Sequence, residues 1–146
     1  ELNLDPQQLG VLGFSAGGQL AAAYSNQPAT KAKFVGLGYP VIRPLIDQRM
    51  GVTTEDVAQL VTAQTPPTFM WGSIQDGLTP FADHLAVYAA ALAHADVPFE
   101  LHEFSTGGHG IALANKYTSI VNYDRADEHM AKWFPLFLDW FHQLKF

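Results

Sequence analysis

The chain has 146 residues, 48% of them apolar and spread along its length, enough for one domain with its own core and too apolar for a disordered segment. Its formal net charge of −6 comes from scattered rather than blocked charges, which argues against nucleic acid or an anionic membrane as a partner. With no cysteine, a disulfide framework, a thiolate nucleophile and a cysteine metal site are all excluded.

No repeat, low-complexity tract or long linker divides the sequence, so residues 1–146 read as one domain. There is no membrane-spanning stretch and no signal peptide, and a cysteine-free chain is compatible with either redox compartment. The compartment stays open, with the cytoplasm as the default. The first residue is Glu1 rather than Met, so a natural start upstream is expected.

Residues 8–14 form a short apolar run after Asp5-Pro6 that suits a buried parallel strand, and Ser15 to about Tyr24 follows as a small-residue helix. Phe34 to Tyr39 is a second strand closed by Pro40. Residues 41–65 look irregular, with Thr54 and Glu55 opening a short helix to about Val61. Thr68 to Gly72 is a third strand. Phe81 to Ala95 is a helix with Leu85, Tyr88, Ala89 and Leu92 on one face. Phe99 to Phe104 is a fourth strand, and Gly107-Gly108 forces a turn. A last helix is expected from about Arg125 to Leu144, interrupted or kinked near Pro135. Strands alternating with helices predict an α/β fold with a mostly parallel sheet flanked by helices on both faces. Ligands on such sheets bind at the carboxyl ends of the strands.

The polar residues expected at those ends form a pattern. Gly13-Phe14-Ser15-Ala16-Gly17 matches G-x-S-x-G between a predicted strand and a predicted helix, the context of a nucleophile elbow. The turn needs small neighbours, and Gly13, Ala16, Gly17 and Gly18 supply them. The helix that begins there directs its amino-terminal dipole at an oxyanion, with the Ala16 N–H as one donor. A serine hydroxyl needs a base. Of the six histidines, His84 and His94 lie on one predicted helix, His129 and His142 on another, and His102 inside a strand. His109 alone follows a strand end, in Gly107-Gly108-His109-Gly110. The orienting acid is expected after the third strand, where Asp76 stands; the competing reading of Asp76 is a turn residue capping the chain near Pro80. Ser15, Asp76, His109 is the chain order of α/β-hydrolases. The histidine spacing contains no H-E-x-x-H or similar ligand set, so neither a metal nor a cofactor is expected.

At these residues the sequence resembles bacterial esterases and lipases related to acetylxylan and feruloyl esterases, the xylanase-like hydrolase group. The matching stretches are Asp5 to Ala22, Tyr39-Pro40-Val41-Ile42, Thr65 to Phe69, Asp76 to Pro80, Val97 to His102 and Gly107 to Gly110. The resemblance implies Ser15 as nucleophile, Asp76 as acid and His109 as base. It also implies that the chain is the C-terminal part of the fold. The strands that normally precede the elbow, and the His-Gly-Gly type loop that completes the oxyanion hole, have no counterpart before Ser15.

The expected reaction is hydrolysis of a carboxylic ester through an acyl-enzyme, on small acyl groups such as acetyl, including those carried by carbohydrates. Two alternatives stand beside it: an oligopeptidase of the same fold, and a truncated inactive remnant serving as an interaction module. The unpaired side of the elbow strand predicts either a homodimer or dependence on a missing N-terminal half.

Overall fold

The computed structural model describes residues 5, 8–44, 54–118 and 127–144. Four strands, β1 (Leu9–Phe14), β2 (Ala32–Gly38), β3 (Thr68–Ser73) and β4 (Phe99–Phe104), form one parallel sheet in the order β1-β2-β3-β4. The helices are α1 (Ala16–Ser25), α2 (Leu85–His94) and α3 (Trp133–Gln143). No helix among the described residues is long and apolar enough to cross a membrane.

The layering follows from strand order. Crossovers between parallel strands are right-handed, so a sheet that grows steadily in one direction keeps its crossover helices on one face. Accordingly α1 and α2 share a core with one side of the sheet, where Ala21, Ala22, Val35, Leu37, Met70, Leu85, Tyr88 and Leu92 are buried together. After β4 the chain passes to the other face, and Trp133, Phe137 and Trp140 of α3 pack on Phe69, Trp71 and Phe104. Phe69 and Trp71 point one way and Met70 the other, the period of two expected of a strand. All six residues of β3 are buried, as befits a central parallel strand covered on both faces.

Strand positions match the sequence expectations closely; the helices differ in three places. Thr54 does not open the short helix. Asp56 does, accepting the Ala58 N–H at 3.1 Å over a 3₁₀ turn, Val57–Leu60. The long helix expected from Phe81 is split into a 3₁₀ turn, Phe81–Asp83, and α2, because His84 breaks the helical conformation (φ −124°, ψ −81°). The terminal helix expected from Arg125 begins at Trp133, after a 3₁₀ turn at Met130–Lys132; Arg125 itself lies outside the described residues. Pro135 therefore falls in the first turn of α3. Its missing N–H has no intrahelical partner to lose there, so it marks the start of the helix rather than a kink inside it.

Depth of burial sets what each apolar position contributes. Leu92 is fully buried against the sheet and Leu20 on α1 is 73% exposed. Leu92→Ala should cost about 2–5 kcal/mol through lost transfer energy and a cavity, and Leu20→Ala less than about 0.5 kcal/mol. Denaturant unfolding of the two variants checks the contrast.

Candidate active site

The four strands run parallel, so the loops that leave their carboxyl ends meet along one edge of the sheet. Ser15, Asp76 and His109 all lie on such loops.

Ser15 sits between β1 and α1 with φ 56° and ψ −126°, a conformation that non-glycine residues rarely hold. The surroundings over-determine it. Its N–H donates to the Gly38 carbonyl (3.0 Å), and its own carbonyl accepts from Gly18 (3.0 Å), Gln19 (3.3 Å) and Val41 (3.0 Å). The backbone also passes too close for side chains on its inner side. A Cβ on Gly13 would stand 2.2 Å from the Gly17 carbonyl oxygen, and one on Gly18 2.7 Å from Pro40 Cβ. At Gly17, by contrast, an added Cβ would meet nothing within 4 Å among the described residues. Ala16 is the first residue of α1, and no acceptor among the described residues takes its N–H.

From this elbow a chain of hydrogen bonds runs across the sheet. Ser15 Oγ is 2.6 Å from His109 Nε2, and His109 Nδ1 is 2.8 Å from Asp76 Oδ2. Asp76 divides its two oxygens between two tasks. Oδ1 accepts the N–H groups of Leu78 (2.8 Å) and Thr79 (2.9 Å), while Oδ2 accepts from His109 and from the Thr79 hydroxyl (2.7 Å). The turn-capping role and the histidine-orienting geometry thus coexist in one carboxylate. Burial alone would raise the pKa of Asp76, but the hydrogen bonds from His109 and Thr79 and the charge of His109 outweigh it and lower it to about 2. An ionised carboxylate only accepts hydrogen bonds, so His109 must carry its proton on Nδ1. That leaves the Nε2 lone pair facing Ser15 Oγ, the tautomer a base needs.

The loop that carries His109 is fastened to the α3 face of the sheet. Gly107 takes φ 101° in the turn, and a Cβ there would meet Met130 Sδ at 2.2 Å. Beyond the histidine, the Ala112 N–H donates to Tyr39 Oη (3.1 Å), and the Ala112 carbonyl accepts from Trp133 Nε1 (2.9 Å). Tyr39 also meets the His109 ring edge-on, with centroids 4.9 Å apart.

The other histidines do other things. His94, His129 and His142 are exposed, and His102 pairs with Glu100 at 2.6 Å. His84 is fully buried, and its Nδ1 accepts the N–H groups of Ile42 (3.0 Å) and Arg43 (3.4 Å), which pins the segment after β2. Burial lowers its pKa. The sequence pattern does not by itself mark Thr79, Tyr39, Trp133 and His84 for these roles. Thr79 had a signal: an aspartate followed three residues later by threonine is a common turn pattern. The others act through tertiary contacts that no local pattern announces.

The depressed pKa of Asp76 is also a statement about stability. A carboxylate lowered in the folded state contributes stability that is present above its unfolded value, 3.8, and is lost as the pH falls toward about 2. The shift corresponds to roughly 2 kcal/mol. Acid unfolding of the wild type should therefore show a steep loss between about pH 4 and pH 2, and Asp76→Asn should flatten it. Equal slopes in the two proteins would show that Asp76 is not held in this way.

Known proteins share this fold. The carboxylesterase Cest-2923 from Lactobacillus plantarum WCFS1 superimposes with a TM-score of 0.86 at 29% identity, over 96% of this chain and 60% of that one. An acetyl ester-xyloside bifunctional hydrolase from Caldicellulosiruptor lactoaceticus does so with a TM-score of 0.76 at 30% identity, over 97% of this chain and 58% of that one. Endo-1,4-beta-xylanase B of Butyrivibrio fibrisolvens is 27% identical over 140 residues, covering 77% of this chain and 22% of the relative. The chain thus spans less than two thirds of the length of each of these relatives. The model of the dienelactone hydrolase family matches residues 1–145, and the chain belongs to that family, with an α/β-hydrolase fold.

Proposed function

We propose that this chain carries the nucleophile, base and acid of a serine carboxylic-ester hydrolase. The observation that carries the reading is the unbroken hydrogen-bonded line from Ser15 Oγ through His109 to Asp76. In the reaction, Ser15 Oγ attacks the ester carbonyl carbon as its proton passes to His109 Nε2. The carbonyl oxygen becomes an oxyanion, and the Ala16 N–H at the head of α1 is placed to bind it. When the tetrahedral intermediate collapses, the alcohol leaves with the proton from Nε2 and the acyl group remains on Ser15. Water, deprotonated by the same nitrogen, then attacks the acyl carbon and releases the acid. Asp76 stays ionised throughout and stabilises the imidazolium. The substrates are small acyl esters, with acetyl groups on carbohydrates favoured by the acetyl ester-xyloside hydrolase and the xylanase among the relatives.

The sheet suggests what else the activity needs. Among the described residues β1 is hydrogen-bonded to β2 alone, and Leu9 (46%), Leu12 (44%), Leu20 (73%) and Tyr24 (44%) are exposed along it and on α1. An apolar strand with one unpaired side recruits another strand. The reading includes a further segment of polypeptide that pairs with β1 and supplies a second oxyanion donor, since loss of a single donor costs on the order of 10²–10³ in turnover. Without that segment, these 146 residues should hydrolyse esters poorly and self-associate through β1.

A fluorophosphonate should label Ser15 alone, and labelling that survives Ser15→Ala would reject the nucleophile. With the upstream segment of a longer polypeptide joined or added, nitrophenyl acetate should turn over and an aminoacyl-nitroanilide should not. His109→Ala should then lower turnover by several powers of ten, and Asp76→Asn by on the order of 10⁴. Full esterase activity from a monomer of the 146 residues alone would contradict the need for a further segment.

A further inference from the structure

The reaction above leaves one buried carboxyl unused. Glu103 stands on β4 directly opposite Gly72 of β3. A Cβ on Gly72 would come within 3.1 Å of Glu103 Oε2 and 2.5 Å of Leu85 Cδ1, so the carboxyl occupies the room that a side chain on β3 would fill, against the first residue of α2. Both carboxyl oxygens are buried, and neither has a hydrogen-bond partner among the described residues. A polar group in that condition costs stability, and more so when it is charged.

The charged and titratable groups on the surrounding elements are few. Asp76 follows β3, Asp83 and His84 precede α2, Tyr88 lies buried within α2 with its hydroxyl accepting from Asn26 (3.1 Å), and His94 ends it. β3 itself carries no titratable side chain. On β4, Glu100 and His102 bond to each other, and His102 packs against Phe69 on the α3 side of the sheet, away from Leu85. Burial first, and the charge of Asp76 second, push the pKa of Glu103 up to about 7. Asp76 lies in the turn that leaves β3 next to the Gly72–Glu103 pair, its N–H bonded to the Ser73 carbonyl (2.9 Å), so the two carboxyls act on each other reciprocally.

We propose that ionised Glu103 is an electrostatic positioning residue that acts through Asp76, a second carboxylate behind the first that stabilises the imidazolium formed on His109 during the reaction. The proposal rests on the reading of Ser15, His109 and Asp76 as a working triad. Below neutrality Glu103 holds its proton, and of the two carboxyls Asp76 alone is charged. As the pH rises, Glu103 loses that proton to solvent, and the added negative charge favours the transition state, in which His109 is positive, over the ground state, in which it is neutral. The arrangement trades stability for rate. A carboxyl whose pKa is raised on folding contributes stability that is present below its unfolded value, 4.5, and is lost as the pH rises through about 7.

Two measurements on the active protein test this, with Glu103→Gln as the uncharged isostere. In ¹³C-carboxyl NMR, one glutamate should titrate near neutrality, vanish in Glu103→Gln, and titrate at lower pH in Asp76→Asn. In kcat/KM for nitrophenyl acetate, the advantage of the wild type over Glu103→Gln should grow with pH, to on the order of tenfold at about pH 9, mostly in kcat. Glu103→Gln should meanwhile unfold less readily at that pH, so that stability rises while rate falls, an outcome a purely structural role would not give. The proposal is overturned if no glutamate titrates above the ordinary carboxylate range, or if the two pH profiles superimpose. Hydrolysis retained in Ser15→Ala would instead reject the triad, and this role with it, even with the carboxyl titration intact.

Discussion

Ser15 keeps a φ of 56° because four backbone hydrogen bonds leave it no other choice. Such a conformation costs on the order of 1–3 kcal/mol and persists only where its neighbours hold it. Here the holding elements are the end of β2 through Gly38, the following segment through Val41, and the first turn of α1 through Gly18 and Gln19. The turn lifts the hydroxyl off the end of β1 toward the loop after β4. It also starts α1 immediately, so that the first free N–H of the helix lies beside the same hydroxyl. The proposed nucleophile and oxyanion donor are therefore adjacent by construction of one turn.

The rest of the site depends on the sheet. In a parallel sheet that grows from β1 to β4, the serine and the histidine leave from strands at opposite sides, with β2 and β3 between them. Bridging that width requires a loop after β4 that reaches back, and a reaching loop needs fixing. Tyr39, at the end of β2, and Trp133, at the head of α3, grip the two backbone groups of Ala112 from different elements. Asp76, at the end of β3, grips the imidazole itself. The aromatic core on the α3 face supports this directly. Trp133 stacks on Trp71 with centroids 4.6 Å apart, and Tyr39 meets Trp71 edge-on at 5.0 Å. Packing on one face of the sheet is in this way coupled to the geometry of the site at its edge.

What was legible in the sequence, and what was not, divides along the range of the interactions. β3 was legible because burial on both faces leaves a short apolar run, here bounded by Pro66-Pro67, while the more exposed β1 was legible from its apolar run and the small-residue turn that ends it. Ser15 was legible because its turn demands small residues on either side, and Asp76 and His109 because each follows a strand end. The helix starts were less so. His84 breaks the helix before α2 to bind the backbone of Ile42 and Arg43, a contact 42 residues away in sequence for Ile42. Pro135 suggests an interruption in the sequence and stands at a beginning in the structure, because the same residue fits a first turn and disrupts a middle. Of the site, the line of three residues could be read from the order of the chain. Tyr39 and Trp133, which hold the loop carrying His109, could not, since their partners are brought near only by folding. Thr79, by contrast, lies three residues from Asp76 within a local turn pattern.

The proposed mechanism requires that Asp76 act through His109 and that the two act on Ser15 as one unit. A double-mutant cycle on the rate at which a fluorophosphonate modifies Ser15 tests it most directly, because it presumes no natural substrate. His109→Ala and Asp76→Asn should each slow modification severely, and the double variant should be no slower than His109→Ala alone, as expected of residues that work in series. Losses that multiply would show that Asp76 and His109 act on Ser15 independently, and would contradict the account.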